Sequence, residues 1–315
     1  MMIFGRYLTL IWSFVAFICL AGPASACEGQ LLDDATIYGA PLCVPAQPKR
    51  VVLLDPTFSL GVGMDIGLPI VGAPLDLMSD ERLKEQSKAR GITSIGLVTE
   101  PSLERIVALK PDLIVGFTGS TSLAATIHPQ LSQIAPTLLE TGIDWRAFYK
   151  TLAKLTGRQS EVADRLRDYE KRLADVRSRM PDIKVSIIRI TAWDFQVYLD
   201  APQTYAPFAV AREAGLRRPK YETASDPGLS MKRPDWEDLA QLDGDVLLYI
   251  VGGTNNSDVS GRHEEVIANP LWRMLPAVHN KRVHRIDHAT WMEFSGLASA
   301  HRVLDDIELY VIGKP

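Results

Sequence analysis

The segment PSLERIVALKPDLIVGF, Pro101 to Phe117, returns without a gap 133 residues later as PDWEDLAQLDGDVLLYI, Pro234 to Ile250. Pro101 matches Pro234, Glu104 matches Glu237, Leu109 matches Leu242 and Asp112 matches Asp245. Apolar residues fall opposite apolar ones at Leu103/Trp236, Ile106/Leu239, Leu113/Val246 and Ile114/Leu247. Each copy reads as a short helix feeding a buried strand. A chain that repeats such a unit at this distance folds as two similar lobes.

The flanking sequence supports that reading. Val51 to Asp55 is an apolar run followed by a turn, Leu60 to Leu68 a short helix, and Ile70 to Ala73 a second strand. Ser102 is a fair N-cap for the helix ending at Leu109, and Asp112 to Phe117 is the next strand. Strand–helix alternation of this kind predicts a parallel sheet covered on both faces. After Pro181 the alternation resumes. Val185 to Ile190 is a strand, Ala206 to Gly215 a helix, Arg282 to Ile286 a strand and Ser295 to about Tyr310 the last helix.

Between the two blocks the period changes. Val162, Leu166, Tyr169, Leu173, Val176 and Met180 are spaced four, three, four, three, four, one apolar stripe on one long helix. Glu161–Arg165, Asp168–Arg172 and Asp175–Arg179 place an acid four residues before a base. Pro181 ends the run. Some 21 residues at 1.5 Å each span roughly 30 Å, the width of a small domain. The fold class is therefore α/β: two Rossmann-like lobes, 27–158 and 182–315, joined by one long inter-domain helix, 159–181.

Residues 1–26 read as a secretory signal peptide: Arg6, an apolar run from Leu8 to Ala21, and the A-x-A site Ala24-Ser25-Ala26. The mature chain would begin at Cys27. A lipid-attachment cysteine usually follows a Leu three residues earlier, where this chain has Ala24. A disulfide with Cys43, the other cysteine left after cleavage, is the simpler reading in an oxidising compartment. Its short loop is worth about 3 kcal/mol in the chain-entropy model. The mature chain carries 33 basic against 38 acidic residues, a balance that argues against nucleic acid or anionic lipid as a partner.

Glu104 and Glu237 fall in the first turn of each repeated helix, where an acid is stabilised by the helix dipole by about 0.3–1 kcal/mol. A sharper reading is a matched pair of surface charges, one per lobe, shown to a two-fold partner.

The whole mature chain resembles the periplasmic binding proteins of ferric-siderophore and cobalamin ABC importers, most closely the ferric hydroxamate (ferrichrome-type) binders. The carriers are PKRVVLLD at 48–55, GLVTEPSLERIVALKPDLIVG at 96–116, the 160–180 helix, NPLWRMLPAV at 269–278 and WMEFSGLASAHRVLDDI at 291–307. The resemblance implies a soluble, monomeric periplasmic protein with little hinge motion and a ferric chelate, not a cofactor, held between the lobes. It also implies a glutamate on each lobe, here Glu104 and Glu237, docking onto arginines of the permease dimer.

Ligands of doubly wound sheets sit beyond the carboxyl ends of the strands. In the first lobe that rule nominates Thr57, Phe58, Thr99, Phe117, Thr118 and Ser120. In the second it nominates Trp193, His288, Trp291 and Phe294, with 288–294 read as a loop, and Tyr205 joins the aromatic cluster there. A ferric siderophore asks for aromatic walls and a few hydrogen bonds, since its metal is already coordinated. Trp291 also matches a cleft tryptophan of the hydroxamate binders. One position departs from them: Val98 stands where they carry an arginine that bonds the iron-bound oxygens, and Arg189 is the best substitute.

Rival readings have weaker carriers. Cobalamin or haem would want the same aromatic walls. Direct metal capture needs several His and carboxylate ligands from both lobes, and His128, His284 and His288 are a thin supply. His263-Glu264 opens like a zinc-protease motif without its second histidine, and Gly61, Gly63 and Gly67 miss the dinucleotide spacing by one residue.

Overall fold

The computed structural model describes residues 27–56, 58–117, 123–142 and 144–313. The expected signal peptide lies outside them, as do Thr57, Thr118 and Ser120. No helix among the described residues is long and apolar enough to cross a membrane.

A hairpin of β1 (Gln30–Leu32) and β2 (Leu42–Val44) opens the chain, and Cys27 is disulfide-bonded to Cys43 beside it. The first lobe is a five-stranded parallel sheet of β3 (Val51–Leu53), β4 (Ile70–Ala73), β5 (Thr93–Ser94), β8 (Leu113–Phe117) and β9 (Thr137–Glu140). Its order is β5-β4-β3-β8-β9, and a small hairpin, β6 (Gly96–Leu97) and β7 (Glu100–Pro101), stands between β5 and β8. Helices α1 (Phe58–Asp65), α2 (Glu81–Ala89), α3 (Leu103–Ala108), α4 (Leu123–Ile134) and α5 (Trp145–Thr156) accompany these strands.

The second lobe holds β10 (Val185–Ile190), β11 (Phe195–Tyr198), β12 (Met231–Lys232), β13 (Val246–Ile250) and β14 (Val283–Ile286). Their order is β12-β11-β10-β13-β14. Here the lobes differ: β10, β13 and β14 are parallel, but β11 folds straight back on β10 and β12 pairs antiparallel with β11. The tight return at 191–194 leaves no room for a crossover helix, which a parallel neighbour would require. The remaining helices are α7 (Ala206–Glu213), the short α8 (Ser257–Ser260), α9 (Arg262–Ala268), α10 (Pro270–Arg273) and α11 (Pro276–His279), then α12 (His288–Met292) and α13 (Leu297–Ile307).

The repeat has a shared structural cause. Asp112 accepts hydrogen bonds from the backbone N–H of Lys49 (2.7 Å) and Arg50 (2.9 Å), just ahead of β3. Asp245 accepts one from the N–H of Lys184 (2.8 Å), just ahead of β10. In both lobes the aspartate pins the start of the central strand against the strand that it precedes itself. The helical parts of the two copies diverge. Ser102 caps α3 through Arg105 N–H, but the second copy forms only a 3-10 turn, Asp238–Gln241. There Asp235 takes the N–H groups of both Glu237 and Asp238, so Glu237 precedes the turn instead of lying inside a helix.

The long helix α6 (Gln159–Ser178) runs unbroken and buries Val162, Leu166, Tyr169, Leu173 and Val176, the predicted stripe. Met180 lies past its end and packs on the same core. Its polar face ties the lobes together. Arg165 donates to the Asp65 carbonyl of the first lobe (3.2 Å), while Arg172 reaches Asp305 (2.5 Å) and Glu308 (2.7 Å) of the second. The expected Asp168–Arg172 pair therefore gives way to a link between helices, and Asp168 pairs with Lys171 instead.

One apolar core runs through both lobes. Phe294 of the second lobe sits edge-on to Trp145 (5.8 Å) and tilted against Phe58 (6.1 Å) of the first. Gly61 of α1 meets the turn before α13 so closely that a Cβ there would lie 2.5 Å from the Ser295 carbonyl oxygen. Gly61 is thus a packing residue.

Candidate functional site

The loop after β4 meets the start of α12 across the lobe boundary, with Ser79 Oγ 3.1 Å from His288 Nδ1. In the first lobe, Leu54, Asp55, Val98, Pro101, Phe117 and Leu123 line a small cavity of about 50 Å³. Phe117 is half-buried against Phe58, ring centroids 5.3 Å apart. Val98 is 46% exposed, so the position where hydroxamate binders carry an arginine presents an apolar side chain. Thr99 is exposed in the turn of the β6–β7 hairpin.

On the second-lobe side the structure brings Arg189, His288, Tyr205 and Trp193 to the same end of the sheet. Arg189 projects from the last turn of β10 and pairs in register with Gln196 on the returning strand β11. Its Nη1 donates to Gln196 Oε1 (3.4 Å) and its Nη2 to His288 Nε2 (3.3 Å), while its buried Nε has no hydrogen-bond partner. The antiparallel return of β11 is what sets Gln196 beside it. Trp193, at the tip of that return, is 63% exposed. Tyr205 caps α7 and donates its hydroxyl to the Met292 carbonyl (2.9 Å).

His288 opens α12, which Asp287 caps through Thr290 N–H (2.9 Å). Its side chain passes over Gly252 and Gly253: a Cβ at Gly252 would lie 2.8 Å from the His288 Cβ, and one at Gly253 would lie 2.5 Å from the ring. Burial first, then the positive charge of Arg189, pushes the imidazole down to about 4. Its Nδ1 lies 3.1 Å from Ser79 Oγ on the opposite lobe. Ser79 Oγ is also hydrogen-bonded to Glu293, whose carboxylate accepts from Ser79 N–H (3.1 Å) and Asp80 N–H (2.7 Å).

Three expected wall residues are corrected. The stretch 288–294 is not an open loop, because residues 288–292 form α12. Trp291 is fully buried, its Nε1–H donates to Asp306 (2.7 Å), and its ring edge meets Phe208. A buried indole needs such a partner, and this one holds the ring away from the cleft. Phe58 and Phe294 are buried as well and pack against each other across the lobe boundary. Sequence reasoning missed Ser79, Gln196 and Glu293, which carry no periodic or motif signal. The capping pattern Asp287-x-x-Thr290 could have revealed α12.

The other histidines have local partners. His263 bonds Asp258 (2.7 Å), His284 stacks on Tyr310, and His128 lies edge-on to Tyr38. Among the described residues no three His, Cys, Asp or Glu side chains gather to hold a metal ion.

The profile of the family described as periplasmic binding protein matches residues 67–290. This chain belongs to the periplasmic binding protein family. A relative within reach of that match is the probable siderophore-binding lipoprotein YfiY of Bacillus subtilis (strain 168). It is 27% identical over 286 residues, spanning 85% of this chain and 84% of the relative. The achromobactin-binding periplasmic protein of Dickeya dadantii (strain 3937) is 30% identical over 272 residues, 82% of this chain and 85% of that one. Among solved structures, Staphylococcus aureus SirA complexed with staphyloferrin B superposes with a TM-score of 0.74. It shares 22% identity and covers 88% of this chain and 97% of its own, a likeness of fold. This periplasmic binding protein is accordingly not an enzyme.

Proposed function

We propose that this periplasmic binding protein holds a ferric siderophore between its lobes and hands it to an inner-membrane ABC importer. It does so as a soluble protein released by signal cleavage. The reading is carried by Arg189, a partly buried cation at the cleft whose partners among the described residues, Gln196 and His288, are amide and imidazole. A ferric chelate presents oxygen atoms that such a group can bond. The relatives' names point the same way: siderophore, achromobactin, Fe(3+) dicitrate and ferric enterobactin binders are among them. Those names cover several chelate chemistries. With an apolar Val98 in the arginine position, the hydroxamate type loses its main support, so the reading here is a ferric siderophore without that restriction. Exposed Glu104 and Glu237, one on each lobe, are the proposed contacts to the permease.

The test is a tryptophan-fluorescence titration of the mature protein with ferric citrate, ferric enterobactin and ferrichrome, with haem and cobalamin as controls. Saturable quenching by a ferric chelate supports the reading. A response confined to cobalamin or haem overturns it.

A further inference from the structure

The hydrogen bonds around His288 fix the direction of every proton in the set. A guanidinium only donates, so His288 Nε2, 3.3 Å from Arg189 Nη2, must be the acceptor. A neutral imidazole with Nε2 accepting carries its proton on Nδ1. Nδ1–H therefore donates to Ser79 Oγ, 3.1 Å away, and the serine proton goes on to Glu293. Glu293 is anchored in turn by the N–H groups of Ser79 and Asp80. The chain begins on the second lobe, passes through Ser79 of the first and returns to the second.

What this set leaves open is Arg189. Two of its five donors are used, both at 3.3–3.4 Å on uncharged partners, and its buried Nε has none. A cation taken partly out of water without a counter-charge is costly, and an incoming anion relieves that cost. Asp194, in the turn between β10 and β11, is already bonded to Arg233 and Thr191. On the facing lobe Val98 adds no competing charge.

We propose that His288, braced across the lobe boundary by Ser79 and Glu293, is a positioning residue that presents the Arg189 guanidinium to an anionic ferric chelate. This rests on the siderophore-binding reading above and narrows it: the preferred cargo carries net negative charge on carboxylate or comparable oxygens. His288 does not touch the iron. It accepts from Nη2 and leaves for the ligand the Nη donors that neither it nor Gln196 takes.

The experiment compares affinities for ferric citrate, which is anionic, and ferrichrome, which is neutral, in the wild type, His288→Phe and His288→Gln. Phenylalanine keeps a ring but has no acceptor, whereas glutamine can accept from Arg189 and donate to Ser79. His288→Phe is expected to weaken ferric citrate binding at least tenfold and ferrichrome binding by less than twofold. His288→Gln should recover most of the citrate affinity. Should His288→Phe fail to fold, Ser79→Ala removes one hydroxyl and carries the same expectation. Equal losses for both chelates, or none for citrate, would overturn the positioning role and leave the siderophore reading standing. A wild type that binds ferrichrome in preference to citrate would overturn the anionic preference. A wild type that binds neither overturns both.

Discussion

Glu293 of the second lobe caps the first lobe at Asp80, accepting its backbone N–H at 2.7 Å. Asp80 is the N-cap of α2, so a carboxylate from one lobe completes the start of a helix in the other. Glu293→Ala strands that N–H and the neighbouring one of Ser79. The expected loss is about 2 kcal/mol in urea unfolding, with faster amide exchange at the first turn of α2. Glu293→Gln keeps an acceptor and should lose roughly half as much. If alanine costs no more than a surface substitution, the cap is not a lobe contact of consequence.

The imidazole of His288 ionises near 4 in the fold, against an ordinary value of 6.5. As pH falls from 6.5 towards 4, the unfolded chain takes up a proton that the folded chain refuses. The stability contributed by the neutral imidazole is complete above pH 6.5 and is lost across that window. The slope is at most about 1.4 kcal/mol per pH unit. Urea unfolding at pH 7.0, 5.5 and 4.5 should show the wild type losing more than His288→Gln. Parallel losses would contradict the buried, neutral state.

Arg218 and Glu222 form a buried ion pair behind β10, and Glu222 also accepts from the N–H of Ile187 (3.0 Å). Removing one partner leaves the other charged in a dry site. Glu222→Ala should therefore cost about 3–5 kcal/mol by chemical denaturation. Replacing both with Met and Leu should cost clearly less than the single change. If the double variant is the weaker, the pair stabilises on balance.

Gly61 meets the backbone of Ser295, which cannot swing aside as a side chain could. Gly61→Ala is expected to cost about 1–3 kcal/mol through overpacking of the lobe contact. Thermal unfolding would show it, and an unchanged midpoint would mean that the contact is looser than drawn.

Glu104→Ala with Glu237→Ala should abolish transport into cells while leaving chelate affinity within a factor of two. Both residues are exposed, so the fold should be unaffected. Surviving transport would remove them from the permease contact.

Where a periodic signal ran long, the sequence was sufficient to place the element. The α6 stripe of Val162 through Val176 is spelled out over about four turns, and β3, β4, β8, β10 and β13 are apolar runs beside turns. Short elements were misread because a local hydrogen bond decides them. Asp235 converts the second copy of the repeat to a 3-10 turn, and Asp287 starts a helix where a loop was expected. A loop over 288–294 would leave Trp291 free to face the wall, whereas α12 turns its ring inward. The Arg189–His288–Ser79–Glu293 set joins residues up to 214 apart, and only tertiary structure brings them within reach. Arg189, a charge within an apolar strand, and His288, just beyond the end of another, left traces in the sequence, whereas Ser79 and Glu293 left none.

The ring of Phe294 nests among Trp145 and Phe58 of the opposite half. Widening the trench would draw it out, at about 1.5–3 kcal/mol for that side chain alone. Any parting of the two halves therefore starts with that ring leaving its aromatic neighbours, and whatever drives the motion has to supply at least that much.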